Sequence, residues 1–172
     1  MEIVTWVVSG TLEHRDSEGN HGVLYPGLAQ RMSAGTGIRH SETNPSPDTP
    51  VHFVQMWVLP DTAGVQPGYE QLDVNDALAS GGLVPIASGR NHDDAIRIHQ
   101  RDAVLWGARL APRSSVTLPD EPHVHVFVPI GSATLSSGDV LAEGAAARLT
   151  DAGALELTAG DAGAEILVWA TA

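Results

Sequence analysis

The densest chemistry in this 172-residue chain lies in Gly35-Thr36-Gly37-Ile38-Arg39-His40-Ser41-Glu42. On a strand, His40 and Glu42 stand two residues apart and project to one face, while Arg39 and Ser41 point the other way. An imidazole and a carboxylate aimed together into a small barrel suit a first-row divalent metal ion. Taken alone, the spacing also describes an ordinary surface strand with two polar residues, so its weight depends on context. The neighbouring histidines are His14, in an alternating stretch after Gly10, His21, in a turn after Asn20, and His52, beside Pro50 at a strand start. Each reads singly as a hydrogen-bonded or solvated strand or turn residue. His123-Val124-His125 also has the H-x-H spacing of a metal motif on one strand face. The chain has no Cys, which removes disulfides, thiol nucleophiles and Cys-ligated zinc or iron–sulfur sites.

The elements that position these residues are strands. Ile3–Ser9, Thr11–Asp16, Val23–Tyr25, Gln30–Ser33, Ile38–Thr43 and His52–Leu59 are β-branched, aromatic or alternating, and turn signals separate them. Further strands are expected at Leu83–Ser88, Ile96–Gln100, Val104–Leu110, His123–Ile130, Ala133–Ser136, Ala146–Thr150, Leu155–Ala159 and Glu165–Trp169. Asp73–Ala79 is the one helical candidate, and 60–67 is loop-like. Eighteen Gly and 11 Pro beside 42% hydrophobic residues fit this density of short strands and tight turns, and argue against a helical bundle or a disordered chain. The net charge is −12 and every one of the nine basic residues is Arg. Such a surface repels a phosphate backbone, so direct nucleic-acid binding is not expected. No apolar run is long enough to span a membrane and the start has no basic leader, which points to a cytoplasmic protein.

An internal repeat organises the strands. At an offset of 117, residues 23–33 and 140–150 share Val23/Val140, Leu24/Leu141, Gly27/Gly144, Ala29/Ala146 and Arg31/Arg148. Upstream, Val7–Leu12 and Val128–Leu135 share a strand–Gly–strand hairpin at an offset of 121. The chain therefore reads as two β-barrel repeats, 1–93 and 94–172. In this alignment His123 and His125 correspond to Glu2 and Val4, no His follows His125 to match His40, and the second barrel is expected to be metal-free.

The run from Met1 to Asn20, with its Glu13-His14-Arg15-Asp16-Ser17, then Pro26-Gly27 and Gln30 to Glu42, closely resembles the pirin family. Gln55-Met56-Trp57-Val58 and Pro67-Gly68-Tyr69 fit the same pattern. The resemblance is strong over 1–72 and looser to the C-terminus. It implies an all-β bicupin: two double-stranded β-helix (jelly-roll) barrels, here with the first lacking its N-terminal strands. It also implies one metal site, usually iron, in the first barrel, held by three His and one Glu. Two of those ligands match His40 and Glu42. The other two belong to an H-P-H motif that would stand just before Met1, so weak metal binding and little or no dioxygenase activity are expected of this chain. Bacterial members that resemble quercetin 2,3-dioxygenases imply a small aromatic, flavonol-like substrate, with Glu42 as ligand and catalytic base. Other members imply a non-catalytic module that binds a transcription or metabolic protein. Glu2 takes the place of an acidic residue that supports the ligands in the family. The four Trp are expected to serve packing. An exposed flank on Ile3–Ser9, left by missing strands, would favour a homo-oligomer.

Overall fold

A computed structural model describes residues 1–172. In chain order the elements are β1 Glu2–Ser9, β2 Leu12–Asp16, β3 His21–Leu24, β4 Leu28–Ser33, β5 His40–Thr43, β6 His52–Val58, β7 Gly68–Asp73, α1 Asn75–Leu78, β8 Val84–Ser88, β9 Ile96–Arg97, β10 Ala103–Leu110, β11 Ser115–Thr117, β12 His123–Leu135, β13 Val140–Leu141, β14 Ala146–Thr150 and β15 Glu156–Thr171. The chain is all-β, as the spacing of turn signals requires. It divides into two compact units, Met1–Asn75 with Ala87–Arg101, and Asp76–Ile86 with Asp102–Ala172. No helix is long and apolar enough to cross a membrane.

In the first unit, β1 is buried on both faces from Glu2 to Val8. A strand without a solvent face has to be central, and the sheet order is β6-β1-β4-β7. Against the expectation of an open flank on Ile3–Ser9, one edge pairs with Val58–His52 and the other with Ser33–Gln30 over Glu2–Thr5. A second sheet has the order β3-β2-β5. β7 occupies residues for which the sequence suggests no strand, because Tyr69-Glu70-Gln71 is polar and pairs only along β4. The helix is shorter than expected, and the Asp73 carboxylate caps it by accepting the Asn75 N–H at 2.9 Å.

In the second unit, β12 and β15 are long bent strands where the sequence suggests two short ones each. Beside Gly131 (φ 79°) and Gly163 (φ 81°) the β12–β15 register shifts, and the pairing then resumes. Its core gathers Val126, Val128, Leu135, Leu157, Ile166 and Val168, all at most 1% exposed. The strand registers bear out the internal repeat. Glu2 opposes Ser33 and Val4 opposes Arg31 in the first unit; His123 opposes Thr150 and His125 opposes Arg148 in the second. The hairpin glycines match as well, Gly10 at φ 76° and Gly131 at φ 79°.

Candidate metal centre

The pairing of β2 with β5 sets the site. His14 opposes Glu42 and Asp16 opposes His40, so all four side chains share one face of the small sheet. The His14 Nδ1 atom lies 3.7 Å from Glu42 Oε1, and the His14 and His40 ring centroids are 5.7 Å apart. One donor atom each from His14, His40 and Glu42 falls within a span of 4.8 Å. Two imidazoles and a carboxylate at that separation make a three-point ligand set for a divalent transition metal, with the remaining positions open.

Opposite them stands a transverse row from the larger sheet. Gln55, Thr5 and Gln30 are direct neighbours across β6, β1 and β4, with Gln71 next on β7. Three of these residues donate to one carboxylate. Thr5 Oγ1 and Gln30 Nε2 each reach Glu42 Oε1 at 3.3 Å, and Gln55 Nε2 reaches Oε2 at 2.5 Å. Two aromatic side chains complete the set. The Tyr69 hydroxyl donates to Gln30 Oε1 at 2.8 Å and accepts from Gln71 Nε2 at 2.7 Å, and the Trp57 indole N–H donates to Gln55 Oε1 at 3.0 Å. Tyr69 also stacks on His14 with ring centroids 4.9 Å apart.

The electrostatics favour an ionised Glu42. Burial pushes its carboxyl up, but the His14 contact, the nearby His40 and the Gln55 bond together pull it below the ordinary carboxylate range. For His14, burial opposes charge and is outweighed by the Glu42 and Asp16 carboxylates, which raise its pKa. Burial and the Asp16 and Glu42 charges hold the Tyr69 phenol at about 12, so it keeps the proton it donates.

His14 supplies the test of whether these residues fit a cation. Its ring is fully buried, and its Nε2 lies 3.2 Å from Asp16 Oδ2. Asp16 is itself fixed by the backbone N–H groups of Glu18 and Asn20 and by the Asn20 amide. As an ionised acceptor, Asp16 requires Nε2 to carry the hydrogen, which leaves a lone pair on Nδ1. That atom is buried with no hydrogen-bond partner, and it faces another acceptor, Glu42 Oε1. Two acceptors turned toward each other in the interior call for a positive charge between them, which either a proton on Nδ1, favoured by the raised pKa of His14, or a bound cation supplies. A carboxylate–histidine pair with the far nitrogen free is the arrangement that orients a metal-ligating imidazole. The residues fit.

Residues 1–58 match the family model described as Pirin, and 85–169 match the quercetinase C-terminal cupin domain. A Mycobacterium bovis protein provisionally named a quercetin 2,3-dioxygenase is 55% identical over 170 residues, covering 98% of this chain and 69% of its own length. The chain belongs to the pirin family. An Escherichia coli protein named quercetin 2,3-dioxygenase is 40% identical over 137 residues, 79% of this chain and 58% of that one. Among solved structures, the bacterial pirin YhhW from Escherichia coli in complex with nickel(II) aligns with a TM-score of 0.87 at 33% identity, over 99% of this chain and 72% of that one.

This pirin brings together the two residues that the sequence nominates, His40 and Glu42, and adds His14. The signal for His14 was the Asp two positions further along its own strand. What the sequence could not show is the register that sets it opposite Glu42. His21 opens β3 exposed, with its ring 2.7 Å from Glu13, and His52 is an exposed strand residue. Neither approaches the site. Glu2 is corrected: it lies on the opposite face of β1 from Thr5, so it cannot support these ligands. It is fully buried, and its Oε2 accepts from Ser33 Oγ at 2.9 Å and from His99 N at 3.1 Å. Trp57 is corrected too, being 65% exposed on the site face, whereas Trp6 is fully buried as packing demands.

Proposed function

We propose that this pirin is a metal-dependent cupin of the quercetinase type, with His14, His40 and Glu42 as ligands and Glu42 also as the base. The observation that carries the reading is the unpartnered His14 Nδ1 facing Glu42 Oε1 at 3.7 Å beside His40. A divalent ion such as iron(II) or nickel(II), when bound, supplies the Lewis acidity that acidifies a phenolic hydroxyl and the partner for chemistry with O₂. The names of the relatives support a flavonol-like substrate.

The chain's own residues suit that ligand. Phe53 and Trp57 share the Gln55 face of β6 with partly exposed rings, which offers planar aromatic surface at the site. Glu42 receives the hydroxyl proton. The bonds that keep it ionised make it a weak base, which is adequate for a hydroxyl already acidified.

Metal titration and turnover test this together. Purified protein is expected to bind nickel(II), and His14→Ala and Glu42→Gln are each expected to weaken binding at least tenfold, the cost of roughly one ligand bond at 1.4 kcal/mol per decade. With iron(II) under air, quercetin loss should follow metal occupancy and vanish in Glu42→Gln. Nickel(II) affinity indifferent to both substitutions would overturn the proposed ligand set.

A further inference from the structure

Gln30 and Gln55 each have to present an NH₂ group to Glu42, which only accepts. A glutamine amide has two orientations of nearly the same shape, and the flipped one would aim a carbonyl oxygen at the carboxylate. Something has to choose between them. For Gln55 the other end of the amide meets the Trp57 indole, a group that can only donate, at 3.0 Å. For Gln30 it meets the Tyr69 hydroxyl at 2.8 Å, and the Gln71 amide donates to that same hydroxyl at 2.7 Å, which commits the phenolic proton to Gln30. Two relays result, Trp57 to Gln55 to Glu42 Oε2, and Gln71 to Tyr69 to Gln30 to Glu42 Oε1. Every bond in them points toward the carboxylate, so each polarises the next in the same sense.

We propose that Trp57 and Tyr69 are positioning residues of the metal site, each fixing the amide of one glutamine so that Glu42 is held from both oxygens and turned toward His14 and His40. The proposal rests on the metal-site reading above. Packing alone would not need the polar tips: a Phe ring fills either place, as Phe53 does two residues before Gln55 on the same face. Gln30 is fully buried, so water cannot replace the partner it would lose. Tyr69 acts on two ligands at once, because its ring also stacks on His14 at 4.9 Å.

The experiment uses Trp57→Phe and Tyr69→Phe, which keep a ring and remove only the donor. Nickel(II) affinity is measured by competition with a chromophoric chelator, and the side-chain amide signals of Gln30 and Gln55 are followed by NMR in the metal-free protein. Each substitution is expected to weaken nickel(II) binding about fivefold, the equivalent of one neutral hydrogen bond, with the unfolding temperature little changed for the exposed Trp57. The amide protons of Gln55 should lose protection in Trp57→Phe, and those of Gln30 in Tyr69→Phe. In a Gln55→Met background, Trp57→Phe should have no further effect on affinity, which a purely structural Trp57 would not predict. Wild-type protein that fails to bind nickel(II) overturns the metal reading and this proposal with it. Wild-type binding that both substitutions leave unchanged overturns this proposal alone.

Discussion

Asp16→Asn tests the logic of the site with a change of one atom. Asp16 Oδ2 accepts from His14 Nε2 at 3.2 Å and from Asn20 Nδ2 at 2.9 Å, while Oδ1 takes the Glu18 and Asn20 N–H groups at 3.0 and 2.9 Å. The new amide keeps its oxygen on the backbone donors and puts its NH₂ where Oδ2 was. It then faces the hydrogen on His14 Nε2, and the imidazole relieves the clash by moving that hydrogen to Nδ1. In the metal-free protein the shift is tolerable, because a small rotation of the ring brings Nδ1–H from 3.7 Å into hydrogen-bond range of Glu42 Oε1. The lone pair needed for a metal has gone. Binding must first restore the original tautomer and lose a hydrogen bond to a charged group, worth about 1.5–3 kcal/mol. At 1.4 kcal/mol per decade this is roughly a 10- to 100-fold loss of affinity, the range typical for removing such a supporting carboxylate. Nickel(II) competition titration measures the affinity, and ¹⁵N shifts of the His14 ring report the tautomer. An Asp16→Asn protein that binds nickel(II) as wild type, or whose metal-free His14 still carries its hydrogen on Nε2, would refute the reasoning.

Gly10→Ala should cost roughly 2–4 kcal/mol in thermal unfolding, because φ is +76° and the new Cβ would sit 2.5 Å from the Pro50 carbonyl oxygen. Gly19→Ala, at φ +90° with nothing within 4 Å, should lose only the backbone part, about 1–2 kcal/mol, so equal losses would contradict the packing argument. His125 has its pKa lowered below the ordinary 6.5, first by burial and then by the Arg148 charge. The unfolded chain therefore binds this proton more readily than the folded one, and stability falls as pH drops from about 6.5 toward the folded value. Chemical denaturation between pH 7.5 and 5 should show that loss in wild type and a smaller one in His125→Gln; parallel profiles would count against it.

The sequence carries the strand plan better than the polar network. Alternation and turn residues place β1, β2, β4 and β6 closely, and the repeat even anticipates that Ser33 and Thr150 occupy matching ladder positions. His40 and Glu42 are legible because they share one strand, where a spacing of two fixes a common face. His14, Gln30, Gln55 and Tyr69 are not legible as a site, since four strands contribute them and only the register of β1, β2, β5 and β7 against their neighbours brings them together. Trp57 misleads for a related reason. A Trp in a strand pattern is more often packing, and only the β1–β6 register puts it on the Gln55 face. The sequence suggests pairs of short strands in place of β12 and β15 because a glycine marks a turn in most sequences, whereas here the register shifts beside Gly131 and Gly163 and the pairing resumes beyond them.

Both units use one strand plan for opposite interiors. The row Gln55–Thr5–Gln30 of the first has as its counterpart Val168–Val126–Ala147 in the second, set by the pairing of β12 with β15 and β14. The pair His14–Glu42 corresponds to Leu135–Leu157. Val126, Val168, Leu135 and Leu157 lie in the hydrophobic cluster, none more than 1% exposed. Burial of apolar side chains stabilises that interior directly, at roughly 1.5–3 kcal/mol for each Val or Leu. A polar interior stabilises only when its groups are matched, and an unmatched one costs about 1–3 kcal/mol. In the first unit Thr5, Gln30, Gln55 and Glu42 are matched to one another and His14 Nδ1 is the atom left over among them, while on the opposite face of β1 Glu2 Oε1 is also unmatched. A cation there at 100 times its dissociation constant would contribute about 2.7 kcal/mol, comparable to one of the buried Leu residues that the second unit has instead. The first unit has thus exchanged packing for a demand that a positive charge can meet, and the second, on the same backbone register, has no such demand at those positions.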